Sequence, residues 1–280
     1  MQCIDKIANL REKVRGWRIE QLKIALIPTM GNLHAGHLSL VEQAKPIADR
    51  TIVSIFVNPT QFVQGEDYEK YPRTLDNDLS RLENLGTDLV FKPKVKEMYP
   101  GGLDEKTQIT LSNLDSVYCG AFRPGHFAGV AKVVAKLFNV VQPDIAFFGE
   151  KDYQQLLVIK RLVEDLCMPI SVIGLPTVRE ADGLAMSSRN AYLSDDERKV
   201  APLLFKTLKE IAEGLNRGEC NYTAMEDQAI QVIEQAGFKS EYVKIRNASD
   251  LGEPAGGDLV VIAAAWLGGA RLIDNVIIKR

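Results

Sequence analysis

Three short segments of the chain carry residue types that could act together on a phosphorylated ligand. The first is Pro28-Thr29-Met30-Gly31-Asn32-Leu33-His34-Ala35-Gly36-His37-Leu38. It follows an apolar run and leads into a segment of helical spacing. The free N–H groups at a helix start favour anions, so a helix opening near His37 would present them beside two imidazoles three residues apart. Gly36 would let a ligand or a neighbouring backbone approach where a β-carbon intrudes. The arrangement suits a triphosphate. It is not a P-loop, because no Lys-Ser/Thr follows the second glycine, and no GxGxxG dinucleotide fingerprint occurs. The same His-x-x-His pair also fits a metal pair or a plain polar turn. A zinc site would need further ligands, for which only His126 and scattered cysteines or carboxylates are available.

The second segment is Phe148-Gly149-Glu150-Lys151-Asp152, directly after an apolar run at 144–147. In an open α/β sheet, ligands gather beyond the carboxyl ends of the strands, and a lysine there can act as a mobile point charge on phosphate oxygens. Its charges also fit an ordinary helix start. The third segment, Ala185-Met186-Ser187-Ser188-Arg189-Asn190, offers two neutral hydroxyl donors and a planar cation that can grip a pyrophosphate. A polar loop of that composition is otherwise common.

The elements that must position these segments are legible in the hydrophobic pattern. Apolar runs at 22–28, 51–57, 87–93, 144–149 and 169–174 have the length and continuity of strands covered on both faces. Segments of helical spacing lie among them, at 37–50, 74–86, 126–141 and 152–166. Such alternation predicts a Rossmann-like, doubly wound α/β fold with a parallel sheet over residues 1–176. Beyond that point the pattern changes. Amphipathic helices near 195–217 and 222–236 precede EYVKIRN and two apolar strands joined at Gly268-Gly269, a good hairpin turn. Residues 177–280 are therefore expected to form a smaller C-terminal α+β domain with an antiparallel sheet.

Composition narrows the class. The 280 residues are 46% hydrophobic and 25% charged, the ordinary balance of a folded globular protein, which excludes a disordered or collagen-like chain. A net charge of -3 argues against nucleic acid as a partner, since neutralising phosphates supplies most of such affinity. Cys3, Cys119, Cys167 and Cys220 lie far apart without a CxxC pair, as expected of reduced thiols in the cytoplasm. No stretch approaches the ~20 apolar residues of a membrane span, so no membrane partner is expected.

Taken together, PTMGNLHAGHLSLV, FVNPTQF, YPRT, RPGHFAGV, FGEKDYQQ and LAMSSRNAYLS resemble the pantothenate synthetase (pantoate–β-alanine ligase) family, in the family's order and over essentially the whole chain. His34-Ala35-Gly36-His37 is similar to the HIGH signature of the nucleotidyltransferase superfamily. Met186-Ser187-Ser188-Arg189 stands where class I aminoacyl-tRNA synthetases carry KMSKS. The resemblance implies condensation of D-pantoate with β-alanine, using ATP and Mg²⁺, through a pantoyl adenylate, with release of AMP and pyrophosphate. An adenylyltransferase with a phosphate acceptor is the alternative on the same scaffold. A nucleotide sensor without catalysis is a further one, though less in keeping with both histidines, Lys151 and the Ser-Ser-Arg loop.

The resemblance also assigns roles. His34, His37, Lys151 and Arg189 would be catalytic. ATP would be bound by Met30, Gly31, Asn32, Leu33, His34, Ala35, Gly36 and His37, by Gly149, Glu150, Lys151 and Asp152, and by Val178, Met186, Ser187, Ser188 and Arg189. Gln61, Gln155, Asn58 and Arg123 would bind pantoate and β-alanine, although Arg123 fits a structural ion pair nearly as well. Asp76 and Asp78 could reach Mg²⁺, but no metal ligand is assigned. A homodimer is expected. The stretch from Asn58 to Arg73 is long for a strand-to-helix connection and is expected to be a lid that keeps water from the adenylate.

Overall fold

The structure is a computed structural model that describes residues 1–103 and 107–280. The chain folds as two compact units. One comprises Met1–Glu150 with Val158–Leu175, the other Lys151–Leu157 with Pro176–Arg280.

The first unit is built on β1 (Gln2–Ile4), α1 (Ile7–Ile19), β2 (Ile24–Thr29), α2 (Ala35–Ala44), β3 (Arg50–Ile55), α3 (Leu75–Asn84) and β4 (Leu89–Phe91). The short helices α4 (Val95–Met98) and α5 (Cys119–Phe122) follow, then α6 (His126–Val141), β5 (Ile145–Gly149), α7 (Tyr153–Asp165) and β6 (Ser171–Leu175). Its six strands are all parallel, in the order β1-β4-β3-β2-β5-β6. Ile24, Ala25, Leu26 and Ile27 are wholly buried, as a central strand covered on both faces requires. Alternate residues form one core: Ala25, Ile27, Val53, Val90, Ile145 and Phe147 pack with Leu40, Val41 and Ala44 of α2 and Leu82 of α3.

Two elements at the N-terminus were not expected from the sequence. β1 is a three-residue edge strand on β4, and α1 buries only Leu10, Val14 and Trp17 from an otherwise charged surface. The helix expected over 37–50 stops at Ala44, because Pro46 has no N–H to continue it. After β2 the chain winds outward through β3 and β4, then returns to the other side of β2 with β5. β2 and β5 thus flank the point where strand order reverses. Their carboxyl ends, at Thr29 and Gly149, mark the crevice where such sheets take ligands.

The second unit holds α8 (Asp195–Val200), α9 (Leu203–Asn216), α10 (Tyr222–Gln235), β7 (Lys239–Asn247), β8 (Leu259–Leu267) and β9 (Ala270–Ile278). The three strands form an antiparallel sheet, with Leu267 paired to Ala270 across the Gly268-Gly269 turn. Leu204, Leu208, Ile211 and Leu215 of α9 pack with Ala229 and Ile233 of α10 onto Val243, Val261, Ala263 and Leu272. The single helix expected near 195–217 is two helices. Pro202 cannot donate to the carbonyl four residues back, so the run breaks there and α9 starts afresh at Leu203.

Candidate active site

The chain leaves β2 through Met30 and turns on two consecutive residues of positive φ, Gly31 at +82° and Asn32 at +50°. It then enters α2 earlier than expected. The helix starts at Ala35 rather than near His37, and His34 is its N-cap. The two histidines cap the helix reciprocally. His34 Nδ1 accepts from Gly36 N at 3.2 Å, and His37 Nδ1 accepts from His34 N at 3.4 Å. Their rings lie 4.1 Å apart, tilted by 35°. A neutral imidazole whose Nδ1 accepts carries its proton on Nε2, so each ring is an Nε2–H donor at a helix start.

Beside this turn, Gln61 ends a 3₁₀ turn, Pro59–Gln61, that is capped by Asn58. Gln61 Nε2 lies 3.2 Å from Met30 Sδ, which places the glutamine next to the end of β2. Asn58 is only 1% exposed, and its amide is fully engaged within the protein. Its Nδ2 donates to Gln61 Oε1 (3.0 Å) and Gly129 O (3.2 Å), while Oδ1 accepts from Tyr99 Oη at 2.8 Å. Asn58 therefore stands behind Gln61 and fixes which way its amide faces. Gly129 of α6 is required for this packing, since a Cβ there would lie 2.1 Å from Thr60 O.

Arg123 is likewise committed to the protein. It forms a two-pronged ion pair with Glu66, with the Nη2 bond at 2.8 Å, and its Nη1 lies 2.9 Å from His126 Nε2. His126 Nδ1 in turn sits 2.6 Å from Gln61 O. Of the two readings open for Arg123, the structural ion pair is the one observed. It ties the stretch 62–73 to the α5–α6 junction, and within that stretch Phe62 packs edge-on to Tyr68 and Tyr71. Asp76 is exposed on α3, whereas Asp78 is buried with both carboxylate oxygens accepting backbone N–H groups.

In the second unit, residues 178–186 form a small hairpin in which Met186 N donates to Val178 O at 3.0 Å. Arg179 anchors it through a bidentate pair with Asp274, at 2.6 and 2.8 Å, and Asp274 is only 5% exposed. The neighbouring Asn275 donates to Lys151 O at 3.0 Å, which pins the lysine's backbone. Lys151, Ala185, Ser187, Asn190 and Asp274 line one small cavity. The cavity so brings Lys151 and Ser187 together, and the hairpin joins Val178 to Met186. Ser187 accepts from Arg189 N at 3.3 Å and caps a 3₁₀ turn, Ser188–Tyr192. At the hairpin tip, the Arg198 guanidinium beside Asp182 holds its carboxyl below the usual carboxylate range. Gln155 lies, half-buried, in the first turn of α7. Arg179, Asp274 and Asn275 carried no signal in the sequence, because Asp274 lies 95 residues from Arg179 and Asn275 lies 124 from Lys151.

A parallel sheet that reverses order beside an imidazole-bearing turn, followed by a separate antiparallel sheet, is the architecture of an α/β nucleotide-using enzyme. A family model described as pantoate–β-alanine ligase matches residues 2–277, and the chain belongs to that family. It is 52% identical over 278 residues to the pantothenate synthetase of Alkalilimnicola ehrlichii, covering 99% of this chain and 97% of the relative. With the pantothenate synthetase of Halorhodospira halophila the identity is 53% over 279 residues, covering 99% and 98%. The crystal structure of pantothenate synthetase from Thermus thermophilus superposes with a TM-score of 0.88 at 44% identity, covering 99% of each chain. A pantoate–β-alanine ligase from Francisella tularensis, solved with β,γ-ATP and β-alanine, gives 0.84 at 34% identity, covering 99% and 97%. No described helix is long and apolar enough to cross a membrane.

Proposed function

We propose that the chain condenses D-pantoate with β-alanine through a pantoyl adenylate, and that the capped turn at residues 30–37 holds the ATP triphosphate. A pantoate carboxylate oxygen bonds to the α-phosphorus as the bond to pyrophosphate breaks. The β-alanine nitrogen then bonds to the activated carbonyl carbon, AMP leaves, and the nitrogen gives up a proton. The observation that carries the reading is the reciprocal His34–His37 cap beside the sheet's switch point. Its Nε2–H groups are donors, and with the positive end of the α2 dipole they favour negative charge at this turn. His37 would then need only to donate a hydrogen bond, since a bound magnesium ion would let pyrophosphate leave without protonation.

Lys151 and Arg189 supply charge, and Ser187 and Ser188 neutral donors, to the same phosphates. Gly149, Glu150, Asp152, Val178 and Met186 hold ribose and adenine, largely through backbone groups. Gln61 and Gln155 bind pantoate, and Gln61 also meets β-alanine. A neutral amide serves the two hydroxyls of pantoate without repelling its carboxylate. The described residues present no group of three or more His, Cys, Asp or Glu side chains suited to a metal. A magnesium ion held by ATP phosphates and water, where it would neutralise charge, would need no such group from the protein. The stretch from Asn58 to Arg73, latched by the Glu66–Arg123 pair, is the lid. The resemblance extends the proposal to a homodimer in the cytoplasm.

Pyrophosphate release with ATP, Mg²⁺ and D-pantoate, with and without β-alanine, tests the reading. The expected result is a near-stoichiometric burst without the amine and steady turnover with it. Folded, ATP-binding protein that gives no pantoate-dependent pyrophosphate would contradict it.

A further inference from the structure

We infer that Thr74, Asp78 and Arg81 form a clamp that positions the turn at Gly31–Leu33, and that Asp78 serves the reaction through this backbone rather than through a metal ion. The inference rests on reading residues 30–37 as the ATP site. The three residues follow at intervals of four and three, so they share one face of α3 and of its N-cap. Asp78 is 1% exposed. Its Oδ2 accepts from Asn32 N at 2.9 Å, and its Oδ1 accepts from Leu33 N at 2.8 Å. The Thr74 hydroxyl lies 3.1 Å from Asp78 Oδ1 and 3.3 Å from Asn32 Oδ1, so it can donate to either. Arg81 Nη1 donates to the Leu33 carbonyl at 2.5 Å. One helical face thus holds both N–H groups and a carbonyl of the two residues that precede His34.

The turn needs such a hold. Gly31 and Asn32 both lie at positive φ, and a non-glycine residue stays there only when its surroundings over-determine it. The fit is close, since a Cβ on Gly31 would lie 3.1 Å from Asp78 Oδ2 and 3.1 Å from Ile55 Cγ2. The charge itself points the same way. A carboxylate beneath an anion-binding turn opposes the ligand electrostatically, so an asparagine would serve better if charge alone mattered. Two adjacent N–H donors, however, need two acceptor oxygens. The amide of asparagine offers one oxygen and would set its own NH₂ against the other donor.

Asp78→Asn decides between these roles. With the clamp, KM for ATP rises about tenfold or more while KM for pantoate and the Mg²⁺ dependence hold, the pattern of a misplaced phosphate turn. Exchange of the Asn32 and Leu33 amide hydrogens accelerates in the same variant. Arg81→Met, at an exposed position, moves KM for ATP the same way by about threefold and carries the test if Asp78→Asn does not fold. A lower or unchanged KM for ATP, or a raised Mg²⁺ requirement, overturns the clamp. His34→Ala separates the two levels. If it raises KM for ATP while both clamp variants leave it unchanged, the clamp alone is wrong. If it leaves KM for ATP unchanged, residues 30–37 are not the ATP site.

Discussion

The turn from Gly31 to His37 and the segment from Ala185 to Asn190, both of which we propose serve the ATP phosphates, are held in different ways. In the first, each histidine caps the other, and a buried carboxylate takes the N–H groups of Asn32 and Leu33. In the second, support comes from below the loop. Arg179 and Asp274 fix the hairpin that leads into it, and Ser187 caps a single 3₁₀ turn. Asn190 donates to Ala185 O at 3.0 Å, but its buried Oδ1 has no hydrogen-bond partner among the described residues. The contrast teaches that one wall of a phosphate site can be fixed before the ligand arrives while another keeps unspent hydrogen-bonding capacity. Fixed donors need no reorganisation as charge develops, which is where electrostatic catalysis gains most.

The largest expected effect lies in the fixed turn. His37→Ala loses about 10²–10⁴ in the rate of pantoate-dependent pyrophosphate formation while the melting transition stays cooperative. Near-normal turnover would remove the cap from the chemistry. In the second unit the corresponding break is structural. Arg179→Ala leaves the Asp274 carboxylate buried without its partner, and urea titration should register a loss of about 3 kcal/mol. A loss below ~1 kcal/mol would mean the hairpin does not depend on that pair.

Smaller effects sharpen the contrast. Asn190→Ala gives up one hydrogen bond but also removes an unsatisfied buried oxygen, so stability should change by less than ~1 kcal/mol. A larger loss in urea would show that Asn190 is as firmly built in as Asp78. The smallest effect is pH-dependent. Hydrogen bonds from Arg198 and Leu184 N lower the Asp182 carboxyl, so the stability they contribute is present above the ordinary carboxylate pKa of about 4. It is lost as pH falls through the depressed folded value. The small difference in melting temperature between the native chain and Asp182→Asn should thus be visible at neutral pH and vanish in acid. A difference that persists in acid would assign it to something other than the carboxylate.

What was legible in the sequence follows the same division. Parallel strands buried on both faces must be apolar throughout, so β2 to β5 stood out as runs, as did the half-buried edge strand β6, and the imidazole pair stood out because histidine is scarce in this chain, with three in all. β1 did not, because three residues on a sheet edge carry no period, and α1 did not, because so few of its side chains are buried. The supports of the site were hidden for another reason. Thr74, Asp78 and Arg81 lie more than forty residues from the turn they hold, and their spacing reads as the solvated face of a surface helix. Lys151–Leu157 belongs with the second unit although composition shifts only near residue 176, because membership there depends on contacts such as Asn275 to Lys151 and Tyr153 to Ala248.

Amide hydrogen exchange with and without ATP and Mg²⁺ tests the central contrast most directly. Residues 31–37 should exchange slowly in the free protein and change little with nucleotide, while 185–192 should gain clear protection. Fast exchange at 31–37 in the free protein, slowed only by ATP, would contradict a turn built in advance.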